Sequence, residues 1–395
     1  MTRASSFAVM TCLLVLPGIL TGCARTRESE PAPAEEGDVA AFITRQMETA
    51  KFPGLAACIV KDGQIRWAQG FGYADVAAAR PVTPDTPFLL GSVAKAVTCI
   101  AVMQLSEQGL LDLDADVNTY LPFEVRNPTH PDAAICARML LAHTSGIRDD
   151  VAIYKSLYTL HTGGGDSPMP LDQFLRDYLT MGGAWCEAQV TYAAFAPGEQ
   201  FLHSNVGIAL AGCLVETVSG ISFDAYCKQR IFDPLGMTDT HWFLQDANPD
   251  NIAIPYRFDV VSNAYVPYGH YGYPSYPDGQ LRTSVNAFAR LLIAVMNDGR
   301  YGDVRILKPE SVQEMVTIQY PEQNPDVGLV WWYGLVGGRE AIGLDGTDAG
   351  VCTSAFFLRG EKTGVLLFAN GDASAIADDV RFAIQDRLVR EAAKL

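Results

Sequence analysis

The sequence has few basic residues for its size, and this scarcity excludes one class of function. Its 395 residues include 29 Lys and Arg against 45 Asp and Glu, so the formal net charge at pH 7 is −16. Nucleic-acid binding requires a basic face, and electrostatic attraction to anionic lipid requires a basic patch. The composition therefore argues against nucleic acid as a partner and against a membrane surface held by charge. With 49% hydrophobic and 19% charged residues, the chain has ample material for a large core.

The sequence also lacks closely paired cysteines. Nine cysteines are present, but no two of them have Cys-x-x-Cys spacing. Neither a zinc site nor a redox motif is indicated, and we expect no metal and no cofactor. If Cys12 and Cys23 belong to a processed leader, seven cysteines remain, and at least one thiol stays unpaired unless it pairs between chains. The disulfide pattern cannot be read from the spacing.

The apolar run at residues 7–20 is too short to span a membrane, and with Arg3 before it the run is typical of a secretory signal. It ends in "LTGC", which resembles the lipobox of bacterial lipoproteins, whose cysteine is lipidated. The alternative is an ordinary cleaved signal with a chance cysteine. We expect a signal peptide at 1–23, a flexible polar tether at 24–37 and one folded domain at 38–395. Lipid on Cys23 would hold the domain at the periplasmic side of a bacterial membrane, with the outer membrane favoured.

Strand-like patterns lie near both ends of the domain, and helical patterns dominate from about residue 92 to 320. The strand-like runs cover residues 55–60, 65–70, 329–333, 353–358 and 364–369. "KDGQ" between the first two runs is a strong hairpin signal. An amphipathic helix is predicted over 376–393. The pattern predicts an α/β (α+β) fold in which both chain ends build an antiparallel sheet, helices flank it, and a mainly helical region is inserted.

The strongest chemical signal is Ser92 followed by Lys95 in "FLLGSVAKAVTCIAVMQL". Residues three apart share a helix face, so the Ser92 hydroxyl and the Lys95 amine can meet. A buried lysine with a lowered pKa can take the proton of a serine nucleophile. The spacing alone is weak evidence, because about one such match arises by chance in a chain of this length. The alternative interpretation is a serine helix cap with an exposed lysine.

A histidine, His203, precedes Ser204 and Asn205 at the start of a strongly apolar helical pattern. It is either a packed core imidazole or a proton carrier. An ordinary histidine pKa of about 6.5 suits a general base at neutral pH.

Further segments occur in a recognisable order with the Ser92 stretch: "LLAHTSGI", "APGEQFLHSNVGIALAGCLVE", "IFDPLGMTDTHW" and "GLDGTDAGVCTSAFF". Together, over roughly residues 40–390, they resemble the penicillin-recognising serine hydrolases, specifically the class C β-lactamase-like branch. The resemblance implies a β-lactamase/DD-peptidase-like fold and an acyl-enzyme formed on Ser92.

The resemblance also implies roles for individual residues. Ser92 matches the nucleophile, Lys95 its partner base, and Asn205 the asparagine that holds the lysine and the substrate amide. The backbone N–H groups of Ser92 and Thr347 would form the oxyanion hole. Asp345 and Gly346 complete the third motif and are expected at the substrate-binding edge.

Two positions depart from the family pattern. His203 stands where the family has the tyrosine of Tyr-x-Asn, which favours a catalytic role for this histidine. Leu344 replaces the Lys or His that opens the third motif, so the cation that contacts a substrate carboxylate is missing. Arg282 is considered as a replacement cation. His143 is expected to be structural.

We therefore expect a serine hydrolase acting on small-molecule or peptide esters or amides. Esterase or peptidase activity is favoured over penicillinase activity, with weak β-lactamase activity included. The alternative is a catalytically impaired binding or sensor lipoprotein that kept the fold. The physiological substrate and the oligomeric state are not indicated.

Overall fold

A computed structural model describes residues 37–395. The predicted signal peptide, Cys23 and all of the tether except residue 37 lie outside the described residues. The helices are α1 (Val39–Ala50), α2 (Lys95–Glu107), α3 (Ala137–Leu141), α4 (Val151–Ser156), α5 (Leu171–Leu179), α6 (Asn205–Ser219), α7 (Phe223–Cys227), α8 (Asp233–Leu235), α9 (Val285–Met296), α10 (Pro309–Val316) and α11 (Ala375–Ala392).

The strands come mostly from the two ends of this part of the chain. They are β1 (Gly54–Lys61), β2 (Gln64–Asp75), β3 (Arg80–Pro81), β4 (Phe88–Leu89), β5 (Tyr256–Asp259), β6 (Ala264–Pro267), β7 (Arg282–Thr283), β8 (Arg300–Tyr301), β9 (Val304–Arg305), β10 (Trp332–Val336), β11 (Arg339–Asp348), β12 (Val351–Leu358) and β13 (Thr363–Ala369).

Seven strands form one antiparallel sheet in the order β10-β11-β12-β13-β1-β2-β3. In its centre β1 pairs with β2 on one side and with β13 on the other, so Leu55 lies opposite both Phe71 and Ala369. The predicted antiparallel sheet from both chain ends is confirmed. The β1–β2 turn has positive φ at Asp62 (52°) and Gly63 (73°), the conformation that the Asp-Gly pair favours in a tight hairpin.

One predicted strand begins later than expected. Of the run at residues 329–333, only the end belongs to β10, which starts at Trp332. Val330 has φ of 62°, which lies outside the extended β region and is unusual for a β-branched side chain. The local apolar pattern therefore reports burial here rather than strand geometry.

Helices cover the sheet on both faces. On one face α1 and α11 pack against each other and on side chains such as Ala341 and Leu367. On the other face lies the larger core, which includes most of α2, α6 and α9 together with Ile342 and Leu344. Ala341 and Ile342 are adjacent on β11 but belong to different cores, because successive side chains of a strand point to opposite faces of the sheet. Only the side chains on the Ile342 face of β11 can therefore face the inserted helical region.

The inserted region is built around α6. Its N-cap, Ser204, accepts a hydrogen bond from the Gly207 N–H at 2.9 Å, and the helix ends at Gly220 with φ of 75°. Within residues 37–395, no single helix is both long and apolar enough to cross a membrane. Two consecutive helical segments, Asn205–Ser219 and Phe223–Leu235, are together long and apolar enough by length and composition alone, and they are bent by 79° relative to each other.

Candidate active site

Ser92 and Lys95 lie together where the chain leaves β4 and enters α2. A 3₁₀ turn, Gly91–Ala94, carries Ser92 and is continued by α2, whose first residue is Lys95. The Lys95 amine lies 2.7 Å from Ser92 Oγ and donates a second hydrogen bond, of 2.8 Å, to the backbone carbonyl of Asp278. The lysine is only 2% exposed. The pair thus has the geometry of a nucleophile and its base.

The surroundings of Lys95 favour its neutral form. Burial lowers the pKa of the lysine, and three carboxylates, Asp278, Asp149 and Asp348, oppose that effect in decreasing order. Burial is the largest influence, and the pKa stays below the ordinary lysine value. A lysine of this kind can accept a proton at a pH where an exposed one cannot.

Strand β11 packs directly against the 3₁₀ turn Gly91–Ala94 that carries Ser92, which is called the nucleophile turn below. A Cβ atom on Gly346 would lie 2.1 Å from the Leu90 carbonyl oxygen and 3.1 Å from the Ser92 nitrogen, so only glycine fits this position. A Cβ atom on Gly91 would lie 3.0 Å from the Thr347 nitrogen. The backbone nitrogens of Ser92 and Thr347 therefore lie on two segments in close contact, as an oxyanion hole requires.

Asp345 does not face this site, and its expected position at the substrate edge is corrected here. Its side chain alternates to the other face of β11, where Oδ1 lies 3.3 Å from an Arg381 nitrogen on α11. Arg381 is 4% exposed and also pairs with Asp378 at 3.1 Å. Strand alternation explains the difference, because Leu344 lies on the face of β11 that packs on the larger core and Asp345, next to it, lies on the opposite face.

Neither Leu344 nor Arg282 supplies a cation. Leu344 is 2% exposed and belongs to the larger core. The Arg282 side chain is buried and donates to the backbone carbonyls of Trp242 (3.0 Å), Gln280 (3.2 Å) and Tyr271. It therefore holds in place the segment at residues 254–280, which contains six tyrosines and is called the tyrosine-rich segment below, and the considered replacement of the missing cation is not formed.

His203 is half-buried and stacks on a second imidazole. The centroids of His203 and His143 are 4.4 Å apart, with an interplanar angle of 32°. Burial, followed by the charge of Lys95, lowers the pKa of His203 to about 3. In the described part of the chain no side chain or backbone group hydrogen-bonds to its ring. His203 is thus a neutral imidazole at neutral pH, and a weaker base than an ordinary histidine.

The neighbouring polar residues fix the start of α6. His143 is buried and its Nδ1 accepts a hydrogen bond from the Ser204 N–H at 3.3 Å, a structural contact. Asp149 accepts from the Asn205 N–H at 2.7 Å and from the Ser204 hydroxyl at 2.9 Å. The Asn205 side-chain amide makes no hydrogen bond within residues 37–395, to Lys95 included.

The sequence pattern did not single out Asp278 and Tyr154. The Asp278 carboxylate accepts a hydrogen bond from the Tyr154 hydroxyl at 2.7 Å and is 3% exposed, and burial raises its pKa to about 7. Asp278 lies in the tyrosine-rich segment, far along the chain from Ser92, and no spacing rule connects the two. Among the residues described, no group of three or more His, Cys, Asp or Glu side chains could hold a metal ion.

Comparison with known families agrees with this geometry. The family model described as "Beta-lactamase" matches residues 39–388, which is nearly all of the described chain. The chain belongs to the Beta-lactamase family. Its membership of the penicillin-recognising serine hydrolase family and its mixed fold, both expected from the motifs, are confirmed by this match and by the solved structures that the fold resembles.

Individual relatives of this Beta-lactamase family member have low sequence identity to it. Penicillin-binding protein 4* of Bacillus subtilis (strain 168) is 30% identical over 207 residues, which are 52% of this chain and 42% of that protein. The octameric penicillin-binding protein homologue from Pyrococcus abyssi superposes with a TM-score of 0.73 and 28% identity, over 89% of this chain and 77% of the other. D-amino acid amidase from Ochrobactrum anthropi SV3 has the same fold, with a TM-score of 0.72, 20% identity and coverage of 91% and 99%. The chain spans less than half the length of the Bacillus relative.

Proposed function

We propose that this protein is a serine hydrolase that forms an acyl-enzyme on Ser92, with ester or amide substrates. The observation that carries the proposal is the 2.7 Å contact between Ser92 Oγ and the Lys95 amine, whose pKa is lowered by burial. A binding protein has no need to keep a buried lysine against a serine, because burying the amine without a chemical purpose costs stability.

The proposed reaction begins when Lys95 takes the Ser92 proton as Oγ attacks the substrate carbonyl carbon. The carbonyl oxygen takes the electron pair and is held by the N–H groups of Ser92 and Thr347. The tetrahedral intermediate then collapses, the leaving group receives the proton from Lys95, and the acyl group stays on Ser92. Water releases it in a second step, for which we propose His203 as the proton carrier, beginning as a neutral imidazole.

Leu344 supports substrates without a carboxylate beside the scissile bond. The apolar side chain cannot pair with such a carboxylate, and Arg282 is committed to backbone carbonyls. Esters and peptide-like amides with a neutral group at this position fit the site better than penicillins do. We propose esterase or peptidase activity on small molecules or peptides, with β-lactam hydrolysis at most weak.

We also propose attachment to the periplasmic side of a bacterial membrane through lipid on Cys23, supported by the "LTGC" sequence after the apolar run. Metabolic labelling with a fatty acid tests this. Label should appear in the wild-type protein and disappear in Cys23→Ser, and label retained in Cys23→Ser would contradict the proposal.

The experiment that tests the hydrolase proposal is reaction with a fluorophosphonate probe followed by intact-mass and peptide mass spectrometry. One adduct is expected, on Ser92. Ser92→Ala should show none, Lys95→Ala should react far more slowly, and Ser262→Ala, a change in the exposed β5–β6 turn, should react like the wild type. An unreactive wild type would favour the alternative, a binding or sensor protein, which the departures at His203 and Leu344 support.

A further inference from the structure

We propose that Asp278 is a positioning residue for Lys95, whose carboxylate stabilises the ammonium that forms when Lys95 takes the Ser92 proton. This inference rests on the proposed function. It concerns a residue outside the motifs of the sequence, and it assigns a role to a buried carboxylate.

The geometry ties Asp278 to the base through its own backbone. The 3₁₀ turn Tyr276–Asp278 lies across the start of α2, where the Thr98 hydroxyl donates a 2.6 Å hydrogen bond to the Pro277 carbonyl. One turn earlier, the Lys95 amine donates to the Asp278 carbonyl at 2.8 Å. The lysine is therefore held by the backbone of the same residue that carries the carboxylate, so the charge of that carboxylate acts on the amine.

The Asp278 carboxylate has little to neutralise it. It accepts a hydrogen bond from the Tyr154 hydroxyl on α4 at 2.7 Å, with a further contribution from the Ser275 side chain, and both partners are uncharged. With 3% of the residue exposed, water screens the charge poorly. Of the carboxylates around Lys95, Asp278 has the largest influence on that amine.

The other titratable groups near Lys95 are engaged elsewhere. Asp149 accepts hydrogen bonds from the first N–H groups of α6, and Asp348, at the end of β11, pairs with Lys155 and the Tyr158 hydroxyl, each at 3.0 Å. His143 and His203 are held neutral by burial. Asp348 is thus paired with a lysine and Asp149 with the N-terminus of α6, whereas Asp278 has hydrogen bonds from side-chain hydroxyls alone.

The proton balance of the step is simple. The Ser92 O–H bond breaks, the proton joins the Lys95 amine, and Oγ bonds to the acyl carbon while the carbonyl oxygen takes the electron pair. The reactive state has Lys95 as a free amine and Asp278 ionised, and the positive charge that forms on Lys95 is then stabilised by the buried carboxylate of Asp278. When the leaving group takes the proton, the original charges return, and Asp278 itself neither gains nor loses a proton.

The test is the pH dependence of Ser92 phosphonylation by the fluorophosphonate probe, measured as a second-order rate constant. Asp278→Asn keeps the shape and a hydrogen-bond acceptor for Tyr154 but removes the charge. Loss of an opposite charge at short range lowers the pKa of a lysine by about 1 unit or more. The ascending limb should therefore move to lower pH by about 1 unit, and the plateau should fall about tenfold because the base is weaker.

Two further variants make the result specific. Asp278→Ala should move the limb in the same direction. Asp348→Asn, the matched control, should move it much less, because Lys155 already compensates that charge. A folded Asp278→Asn protein that labels on Ser92 with an unmoved limb overturns the inference, as does an equal shift in Asp348→Asn. A wild type that does not label at any pH overturns the proposed function instead.

Discussion

Asp278→Asn should make the protein more stable at alkaline pH while it makes the active site slower. The Asp278 carboxyl has a pKa of about 7 in the folded protein against an ordinary value of 3.8, and burial is the main cause. The folded state therefore binds this proton more tightly than the unfolded chain does. Stability contributed by the protonated carboxyl is present at low pH and is lost as the pH rises from about 4 to about 7.

The size of the effect follows from the shift. A difference of about 3 pKa units, at 1.36 kcal/mol per unit, corresponds to about 4 kcal/mol of lost folding free energy once the carboxyl is ionised. Asparagine does not titrate, so the variant avoids this loss. The difference in stability between variant and wild type should be near zero at pH 4 and should grow to as much as about 4 kcal/mol above pH 7.

Urea unfolding followed by tryptophan fluorescence, at pH 4, 5.5, 7 and 8.5, measures this difference for both proteins. Asp348→Asn serves as the control, since its charge is paired with Lys155. A stability difference that does not change with pH, or a variant that is less stable than the wild type at pH 8.5, would show that the carboxyl is not the buried charge described above.

Four other changes test separate parts of the site. Nitrocefin turnover should be low relative to small aryl esters, and Leu344→His should raise it by about 10- to 150-fold, since a charge-assisted contact contributes about 1.5–3 kcal/mol; efficient nitrocefin hydrolysis by the wild type would contradict the role given to Leu344. His203→Phe should slow deacylation more than acylation, so that stopped-flow ester hydrolysis shows a burst, and should leave the neutral-pH limb in place because the pKa of His203 is about 3; unchanged rates of both steps would make His203 a packing residue. Gly346→Ala should reduce probe labelling about 100-fold or more by displacing β11 from the nucleophile turn, and normal labelling would refute that packing. Asp345→Asn should leave KM for an aryl ester unchanged, because the side chain lies against Arg381 on α11 and not at the substrate edge; a raised KM with an unchanged urea midpoint would restore its role at the substrate edge.

The sequence motifs predicted most of the local chemistry. Helical spacing brought Ser92 and Lys95 together, and the Asp-Gly turn with apolar runs at both ends predicted the central strands of the sheet. These features depend on short-range geometry, which residue types and spacing report directly.

The features that could not be predicted depend on which way a side chain points after the chain has folded. Asp345 and Leu344 are adjacent in one motif, yet only the register of β11 decides that one faces α11 and the other the larger core. Asp278 reaches Lys95 through a 3₁₀ turn in a segment with no regular pattern. The low pKa of His203 comes from burial and a nearby amine, and neither is visible in its neighbours along the chain.

The contact between the nucleophile turn and β11 has a consequence for the folding of the chain. The Thr353 hydroxyl donates to the Leu90 carbonyl across 263 positions of the chain, and Lys61 bonds to Thr363 across 302. Pairings this distant in sequence form late and slowly during folding. A chain whose C-terminal strands have not yet paired with its N-terminal ones has Ser92 but no second wall for its oxyanion hole. We therefore expect reactivity towards an acylating reagent to appear only when both ends of the domain have met, so that its time course follows this long-range step of folding.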